Sequence, residues 1–365
     1  MGGNEENYVK EAFNTNWVAP LGPNVDAFEK QLSDFTGVKA AAALSSGTAA
    51  LHLSLVMAGV GKEDIVLCQS FTFAASAFPI LYNGAVPVFI DSEPDTWNMD
   101  PALLEKAVQA LAAKGKKPKA IIAVHLYGMP AKMEEIKAIA SAYEITLIED
   151  AAEALGSNYN GKACGSLGDM GILSFNGNKI ITTSGGGALI ADNEDWVKKA
   201  RFLSTQSKEP APYYLHLETG YNYRMSNICA GIGRGQMEVL QQRVMQRRAH
   251  YEAYLEVFGN TPGVSFLAEP EGCFSNRWLT TVCFDEKVFG AGFIEKLRVE
   301  LERYNIESRP LWKPLHQQPV FENCQAYTNG VSDELFATGL CLPSGSNMTA
   351  ETRAIVIDKI KAFIH

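Results

Sequence analysis

The sequence predicts an α/β fold, a seven-stranded, mostly parallel central sheet with helices on both faces, followed by a smaller C-terminal α+β domain. Three observations predict it. Seven short apolar or β-branched runs alternate with amphipathic helical stretches over the first two thirds of the chain. Several of these runs are continuously apolar, as strands buried on both faces are. After about Met237 the alternation stops and a long polar helix rich in Gln and Arg begins.

Taken in order, Met1 to Pro23 reads as an extended arm carrying Trp17, Pro20 and Pro23. The expected strands are Ala40–Leu44, Ile65–Cys68, Val86–Ile90, Ala120–Val124, Thr146–Glu149, Met170–Ser174 and Gly187–Ala191. A helix is expected after Ser46 through Leu51, Leu55 and Val56, and another over Met133 to Tyr143. Strands joined by such crossover segments form parallel sheets. Beyond Met237 the long helix runs through Arg248 and Tyr251, and further helices are expected near Phe293–Tyr304 and Ala350–Ile364. These readings divide the chain into residues 1–240, an arm and a large domain, and residues 241–365, a small domain.

Composition narrows the function classes. The chain has 365 residues, 47% hydrophobic and 20% charged, as soluble enzymes do. Lys plus Arg is 32 and Asp plus Glu is 41, a formal charge of -9. Such a chain has no global attraction for nucleic acid or anionic lipid, so neither is expected as a partner. No basic segment followed by an apolar core opens the sequence, so no signal peptide is expected. The most apolar window, Ala40 to Val60, is interrupted by Ser45, Ser46, Thr48, His52 and Ser54, which argues against a membrane span. The seven cysteines form no CxxC pair and do not cluster with the six histidines. Free thiols in a cytoplasmic protein, with no metal site, are the expected state.

Four segments suggest chemistry. In Leu44-Ser45-Ser46-Gly47-Thr48-Ala49-Ala50-Leu51 a strand gives way to a helix through small residues. Exposed N–H groups and hydroxyls at a helix start can cradle a phosphate, although a plain N-capped turn has the same residues. In Ile148-Glu149-Asp150-Ala151-Ala152-Glu153, Asp150 follows an apolar strand at the edge where α/β proteins bind ligands. It suits a cationic ring nitrogen or a helix N-cap equally. Lys179 follows Ser174-Phe175-Asn176-Gly177-Asn178 and precedes Thr182-Thr183-Ser184-Gly185-Gly186-Gly187. That setting of hydroxyls, amides and glycines suits a lysine beside a ligand, while a surface lysine is the plain alternative. The fourth is the polar and aromatic loop Gly220-Tyr221-Asn222-Tyr223-Arg224-Met225-Ser226, in which capping and packing would also explain the residues.

Cradle, aromatic, Asp, then Ser and Lys is the serial order of a pyridoxal-5′-phosphate (PLP) site. On these segments, together with Tyr127-Gly128 and Ala154-Leu155-Gly156-Ser157, the chain resembles the DegT/DnrJ/EryC1/StrS sugar aminotransferases over nearly its whole length. Within that family it looks most like the bacillosamine-type members. The resemblance implies PLP fold type I, the aspartate-aminotransferase-like architecture. It implies transfer of an amino group from L-glutamate to a nucleotide-linked 4-keto-6-deoxy sugar, here a UDP-2-acetamido-4-keto-6-deoxyhexose, by a homodimer with shared active sites.

The same resemblance assigns roles. Lys179 is expected to hold PLP covalently and then serve as a base, and Asp150 to pair with the ring nitrogen. A free lysine titrates near ~10.4, so nearby positive charge or burial would have to bring it down. Ser46, Gly47, Thr48 and Ser174 match phosphate-binding positions, and Asn222 matches an asparagine that reaches the partner subunit's phosphate. Phe73 matches an aromatic that stacks on the cofactor, whereas its chemistry alone suggests core packing. Glu153 stands where many members carry Gln or His beside the ring hydroxyl; a second carboxylate there repels a phenolate unless it is protonated or solvated. Substrate contacts are expected from Trp17, Val18, Asn178, Arg309, Trp312 and His316. Arg309 suits a diphosphate through its two-pronged guanidinium, and Trp17 suits the uracil or sugar.

Three other readings fare worse. Related PLP-dependent sugar dehydratases carry His at the lysine position, and this chain has Lys179. A non-catalytic sensor of PLP or sugar nucleotide need not retain Asp150, Ser174, Lys179 and Asn222 together. A dinucleotide-binding oxidoreductase needs a glycine-rich turn opening a helix, but Gly185-Gly186-Gly187 precedes a strand.

Overall fold

The computed structural model describes residues 1–364. Seven strands form most of the main sheet: β1 Ala40–Leu44, β2 Ile65–Gln69, β3 Val86–Ile90, β4 Ala120–Val124, β5 Thr146–Asp150, β6 Met170–Ser174 and β7 Gly187–Ala191. The C-terminal third adds β8 Val264–Phe266, β9 Thr280–Phe284, β10 Arg309–Pro310, β11 Ala326–Tyr327 and β12 Gly339–Leu342. The main sheet has eight strands in the order β1-β7-β6-β5-β4-β2-β3-β11. Only β7 runs against its neighbours; the other pairings are parallel. The expected seven strands are all present, and the eighth is the two-residue β11, which pairs with the edge of β3.

Alternate residues of one strand serve two cores, which is why these runs are continuously apolar. In β4, Ala120, Ile122 and Val124 join Leu44, Leu51 and Phe89 on one face. Ile121 and Ala123 join Leu67, Leu104 and Ile136 on the other. A separate cluster around Tyr254, Phe258, Leu297 and Leu301 packs on a four-stranded sheet ordered β8-β9-β12-β10.

The N-terminal arm is not extended. It contains helix α1, Glu5–Asn14, and leads into α2, Pro23–Thr36, both packed on α3, Asn227–Met237. Gly231, Gly233 and Gly235 of α3 let α1 and α2 approach closely: a Cβ on Gly233 would stand 2.7 Å from the Phe28 ring. The other expected helices form at Gly47–Met57, Met133–Ala142, Leu240–Phe258, Phe293–Arg303 and Ala350–Ile364. All seven cysteines are free. Among the described residues no helix is long and apolar enough to cross a membrane.

Candidate active site

Because β1, β2, β5 and β6 point the same way, their carboxyl ends open on one edge of the sheet. The loops there enclose a cavity of about 1000 Å³. Its walls include Ser46, Gly47, Thr48, Phe73, Asp150, Glu153, Ser174, Asn178, Lys179, Arg309 and Trp312. Residues from Ser46 to Trp312 in sequence thus meet in one space.

The turn after β1 is built as an anion cradle. Ser46 caps the following helix: its Oγ accepts the Ala49 N–H at 3.0 Å, leaving the first helical N–H groups open toward the cavity. Two glycines close the cradle. A Cβ on Gly187 would lie 2.3 Å from the Gly47 nitrogen, and one on Gly47 would lie 3.0 Å from the Ser174 Cβ. The Ser174 hydroxyl is thereby held against the helix start.

No helix follows Asp150, so it is no N-cap. Its carboxylate is buried at the end of β5, accepting the Ser76 hydroxyl at 2.7 Å and the Ala152 N–H at 3.2 Å. Ser76 also contacts Thr72 Oγ1 at 2.9 Å. Sequence reasoning missed Ser76, which is 74 residues from Asp150 and carries no motif.

Lys179 lies in an irregular loop after β6, with its side chain 13% exposed. Its Nζ is 3.3 Å from Glu153 Oε1 and 4.2 Å from the centroid of the Trp278 ring. Trp278 also donates its indole N–H to the Asn178 carbonyl at 2.8 Å. One tryptophan therefore fixes the lysine loop and lies against the amine. Glu153 is fully enclosed, and burial pushes its carboxyl up to about 7, against the pull of Lys179 and the Tyr127 N–H. Its Oε2 accepts that N–H at 2.7 Å.

The aromatic residues form a wall. Phe73 is 59% exposed, which rules out core packing, and its ring centroid is 5.6 Å from that of Trp312. Trp312 stands 5.1 Å from Tyr127 and 6.2 Å from Trp278. Arg309 lies at the cavity rim, paired with Glu307 in solvent.

Three expected substrate contacts are not brought to the cavity. Both ring nitrogens of His316 are engaged elsewhere, with Ser70 Oγ at 2.7 Å and Asp333 at 3.0 Å. Trp17 and Val18 are each 43% exposed in the segment between α1 and α2, which is tied down through the Trp17 carbonyl to Asn227. Asn222 is also exposed and outside this chain's own cavity. Its neighbour Tyr223 accepts the Ser45 N–H at 2.7 Å, so the loop runs beside the cradle.

Comparison with known proteins agrees with this geometry. The pattern of the DegT/DnrJ/EryC1/StrS aminotransferase family matches residues 1–361. A Bacillus subtilis (strain 168) protein named "Putative pyridoxal phosphate-dependent aminotransferase EpsN" is 53% identical over 369 residues, covering 100% of this chain and 94% of that protein. GDP-perosamine synthase of Caulobacter vibrioides is 37% identical, covering 96% and 92%. UDP-4-amino-4,6-dideoxy-N-acetyl-beta-L-altrosamine transaminase of Campylobacter jejuni is 39% identical over a shorter stretch, 62% of this chain and 59% of that one. In three dimensions, a DegT DnrJ EryC1 StrS aminotransferase from Brucella abortus superposes with a TM-score of 0.91 at 29% identity, covering 99% and 95%. The fold is that of the fold type I, PLP-dependent sugar aminotransferases. The chain belongs to the DegT/DnrJ/EryC1/StrS aminotransferase family.

Proposed function

We propose that this chain transfers the amino group of L-glutamate to a nucleotide-linked 4-keto-6-deoxy sugar, a UDP-2-acetamido-4-keto-6-deoxyhexose, giving the 4-amino sugar. The observation that supports it is the meeting of Lys179, Asp150 and Glu153 in one cavity with a phosphate cradle at its side. Relatives named as a GDP-perosamine synthase and a UDP-4-amino-4,6-dideoxy sugar transaminase support the substrate class. The second supports the UDP-linked, N-acetylated form.

The residues fit PLP. The cradle of Ser46, Gly47, Thr48 and Ser174 would take its phosphate, and the glycine contacts leave that turn open to an anion. Asp150 would hold positive charge at the ring nitrogen, with Ser76 fixing the carboxylate's orientation. Phe73 would cover a ring face. When bound, PLP supplies an electron sink for the carbon that gains or loses the amine. Lys179 Nζ would hold the cofactor and carry the proton to and from the substrate carbon. Glu153, with a carboxyl near neutrality, can stand beside the ring hydroxyl without a fixed negative charge.

In this reading residues 1–240 form the cofactor-binding unit, and residues 241–365 supply Arg309 for the diphosphate. Asn178 and Trp312 line the substrate side. Asn222, Trp17 and Val18 serve a partner subunit's cavity, so the active unit is a homodimer acting in the cytoplasm. The test is the visible absorption of PLP-loaded protein before and after L-glutamate, in wild type and Lys179→Ala. The expected result is a wild-type spectrum that glutamate converts and the keto sugar restores, with no such change in the variant. A wild-type spectrum untouched by PLP overturns the assignment of Lys179; one untouched by glutamate overturns the donor.

A further inference from the structure

The Lys179 amine touches two groups, Glu153 and the ring of Trp278, and the second has no role in the scheme above. Trp278 is 2% exposed and its polar groups are all engaged. Its indole N–H donates to the Asn178 carbonyl at 2.8 Å, its backbone N–H donates to Asn276 Oδ1 at 2.9 Å, and its carbonyl accepts from Arg247. Asn276 in turn grips the segment of Glu153. Its amide donates to the Glu153 carbonyl at 2.8 Å and to the Leu155 carbonyl at 2.9 Å, and its backbone N–H donates to Ser157 Oγ at 2.9 Å. Arg277, between them, has left-handed backbone with φ 52°. It is held there by its bond to the Leu267 carbonyl at 2.7 Å and by Tyr251, whose ring centroid lies 3.6 Å from the guanidinium. The three residues lead into β9 and so join the four-stranded sheet to both members of the Glu153–Lys179 pair. The ring face that meets the amine at 4.2 Å is therefore fixed in place.

We propose that Trp278 is a positioning residue that receives the Lys179 amine each time it leaves the cofactor and keeps it beside the reacting carbon. This inference rests on the reading of Lys179 given above. Exchange at the cofactor carbon forms a C=N bond to the donor nitrogen and breaks the one to Lys179, whose nitrogen takes the two hydrogens that the donor nitrogen gives up. The released amine is on a flexible stem, yet it must meet the substrate carbon, take its proton and pass that proton on. An aromatic face attracts an ammonium through its quadrupole and has no lone pair with which to take the proton. Glu153 does have one, and burial brings its carboxyl near neutrality, so a carboxylate alone would hold the amine and compete for the proton it carries. The ring supplies the attraction without the competition, and its hydrogen bond to Asn178 fixes the backbone from which the lysine swings.

The experiment is fluorine NMR of protein labelled with 5-fluorotryptophan. The chain has five tryptophans, and Trp278→Phe identifies the Trp278 resonance by its loss. Wild type and Lys179→Met are compared when loaded with pyridoxamine 5′-phosphate, which leaves the lysine unbonded. The Trp278 resonance should differ between the two proteins by more than any other. A Trp278 resonance that Lys179→Met leaves unmoved overturns the inference. Single-turnover absorption kinetics with glutamate give the second readout. Trp278→Leu, which loses ring and N–H, should slow the half-reaction about tenfold with KM within about twofold. Trp278→Phe, which keeps a ring face and loses only the N–H, should stay within about threefold of wild type. Rates equal in the two variants overturn the inference in favour of a tryptophan that merely packs the loop. Melting temperatures check the fold of each, and the Lys179→Met comparison stands even where Trp278→Leu fails to fold, because it leaves the tryptophan in place. Borohydride reduction of PLP-loaded wild type followed by peptide mass analysis tests the reading beneath: no label on Lys179 overturns that reading, whereas a label with an unmoved Trp278 resonance overturns this inference alone.

Discussion

Glu153 Oε1 lies 3.3 Å from Lys179 Nζ, in a cavity where both side chains are largely buried. The pair puts a buried carboxyl beside the amine proposed to hold the cofactor and then move protons.

The first prediction concerns that carboxyl. Burial raises it from the ordinary 4.5 to about 7 in the folded chain. Between those values the folded state binds more protons than the unfolded one, so stability falls as pH rises through this window. Below about 4.5 both states are protonated and the penalty vanishes. Glu153→Gln removes the charge and keeps an acceptor for the Tyr127 N–H. Its melting temperature, relative to wild type and without PLP, should therefore improve steadily between pH 4.5 and 7 and then level off. At ~1.4 kcal/mol per pH unit the total gain is on the order of 3 kcal/mol. A flat difference across that range would show that the carboxyl stays charged.

A second prediction follows from the support of Asp150. Ser76→Ala removes the 2.7 Å hydrogen bond from the hydroxyl to Asp150 Oδ2 and leaves the carboxylate in place. A charge-assisted hydrogen bond is worth about 1.5–3 kcal/mol. The rate of the glutamate half-reaction should drop roughly tenfold, with the cofactor still bound. Asp150→Ala should lose at least about a hundredfold, because the ring nitrogen then has no counter-charge. Single-turnover absorption kinetics at saturating glutamate separate these cases. Equal losses in both variants would mean that Ser76 acts through folding instead.

These relationships mark where sequence reasoning reached and where it stopped. Strands such as Ala40–Leu44 and Ala120–Val124 were legible because burial on both faces writes a continuous apolar run. Lys179, Asp150 and the Ser46 turn were legible because each follows a strand end in sequence. Helix α1 was not: Glu5–Asn14 carries few apolar residues, and its stability comes from packing on glycines more than 200 positions away. β11 exists only because the β3 edge offers it partners. His316 was expected as a substrate contact, but Ser70 and Asp333 claim its ring in three dimensions. Trp278, which lies against the lysine, carries no local signal at all.

The third prediction addresses Tyr127, a non-glycine residue in left-handed backbone, φ 55° and ψ 17°. Such a conformation costs on the order of 1 kcal/mol and persists when its surroundings hold it. Here the backbone N–H binds Glu153 and the phenol oxygen accepts the Trp312 N–H at 3.0 Å. Tyr127→Phe leaves the first contact and removes the second. Stability should fall by about 0.5–1.5 kcal/mol. KM for the keto sugar should rise several-fold through the loosened Trp312 loop, while the glutamate half-reaction stays near the wild-type rate. A change in the glutamate step instead would place the effect at Glu153.

The fourth prediction separates two neighbouring glycines. A Cβ on Gly187 would stand 2.3 Å from the Gly47 nitrogen and from the Ser46 carbonyl carbon, inside the turn that forms the cradle. The backbone there cannot yield without displacing the helix start whose N–H groups face the cavity. A Cβ on Gly185, which lines the cavity, meets nothing within 4 Å. Gly187→Ala should therefore weaken PLP binding by at least about tenfold and lower the melting temperature. Gly185→Ala should leave the melting temperature unchanged and PLP affinity within a few-fold. Absorption titration of both variants with PLP checks this. The contrast depends only on where the added methyl goes, since the two substitutions are chemically identical and two residues apart. Equal affinities would mean that the phosphate is held away from the Ser46 turn, and the cradle would then have to be sought elsewhere in the cavity.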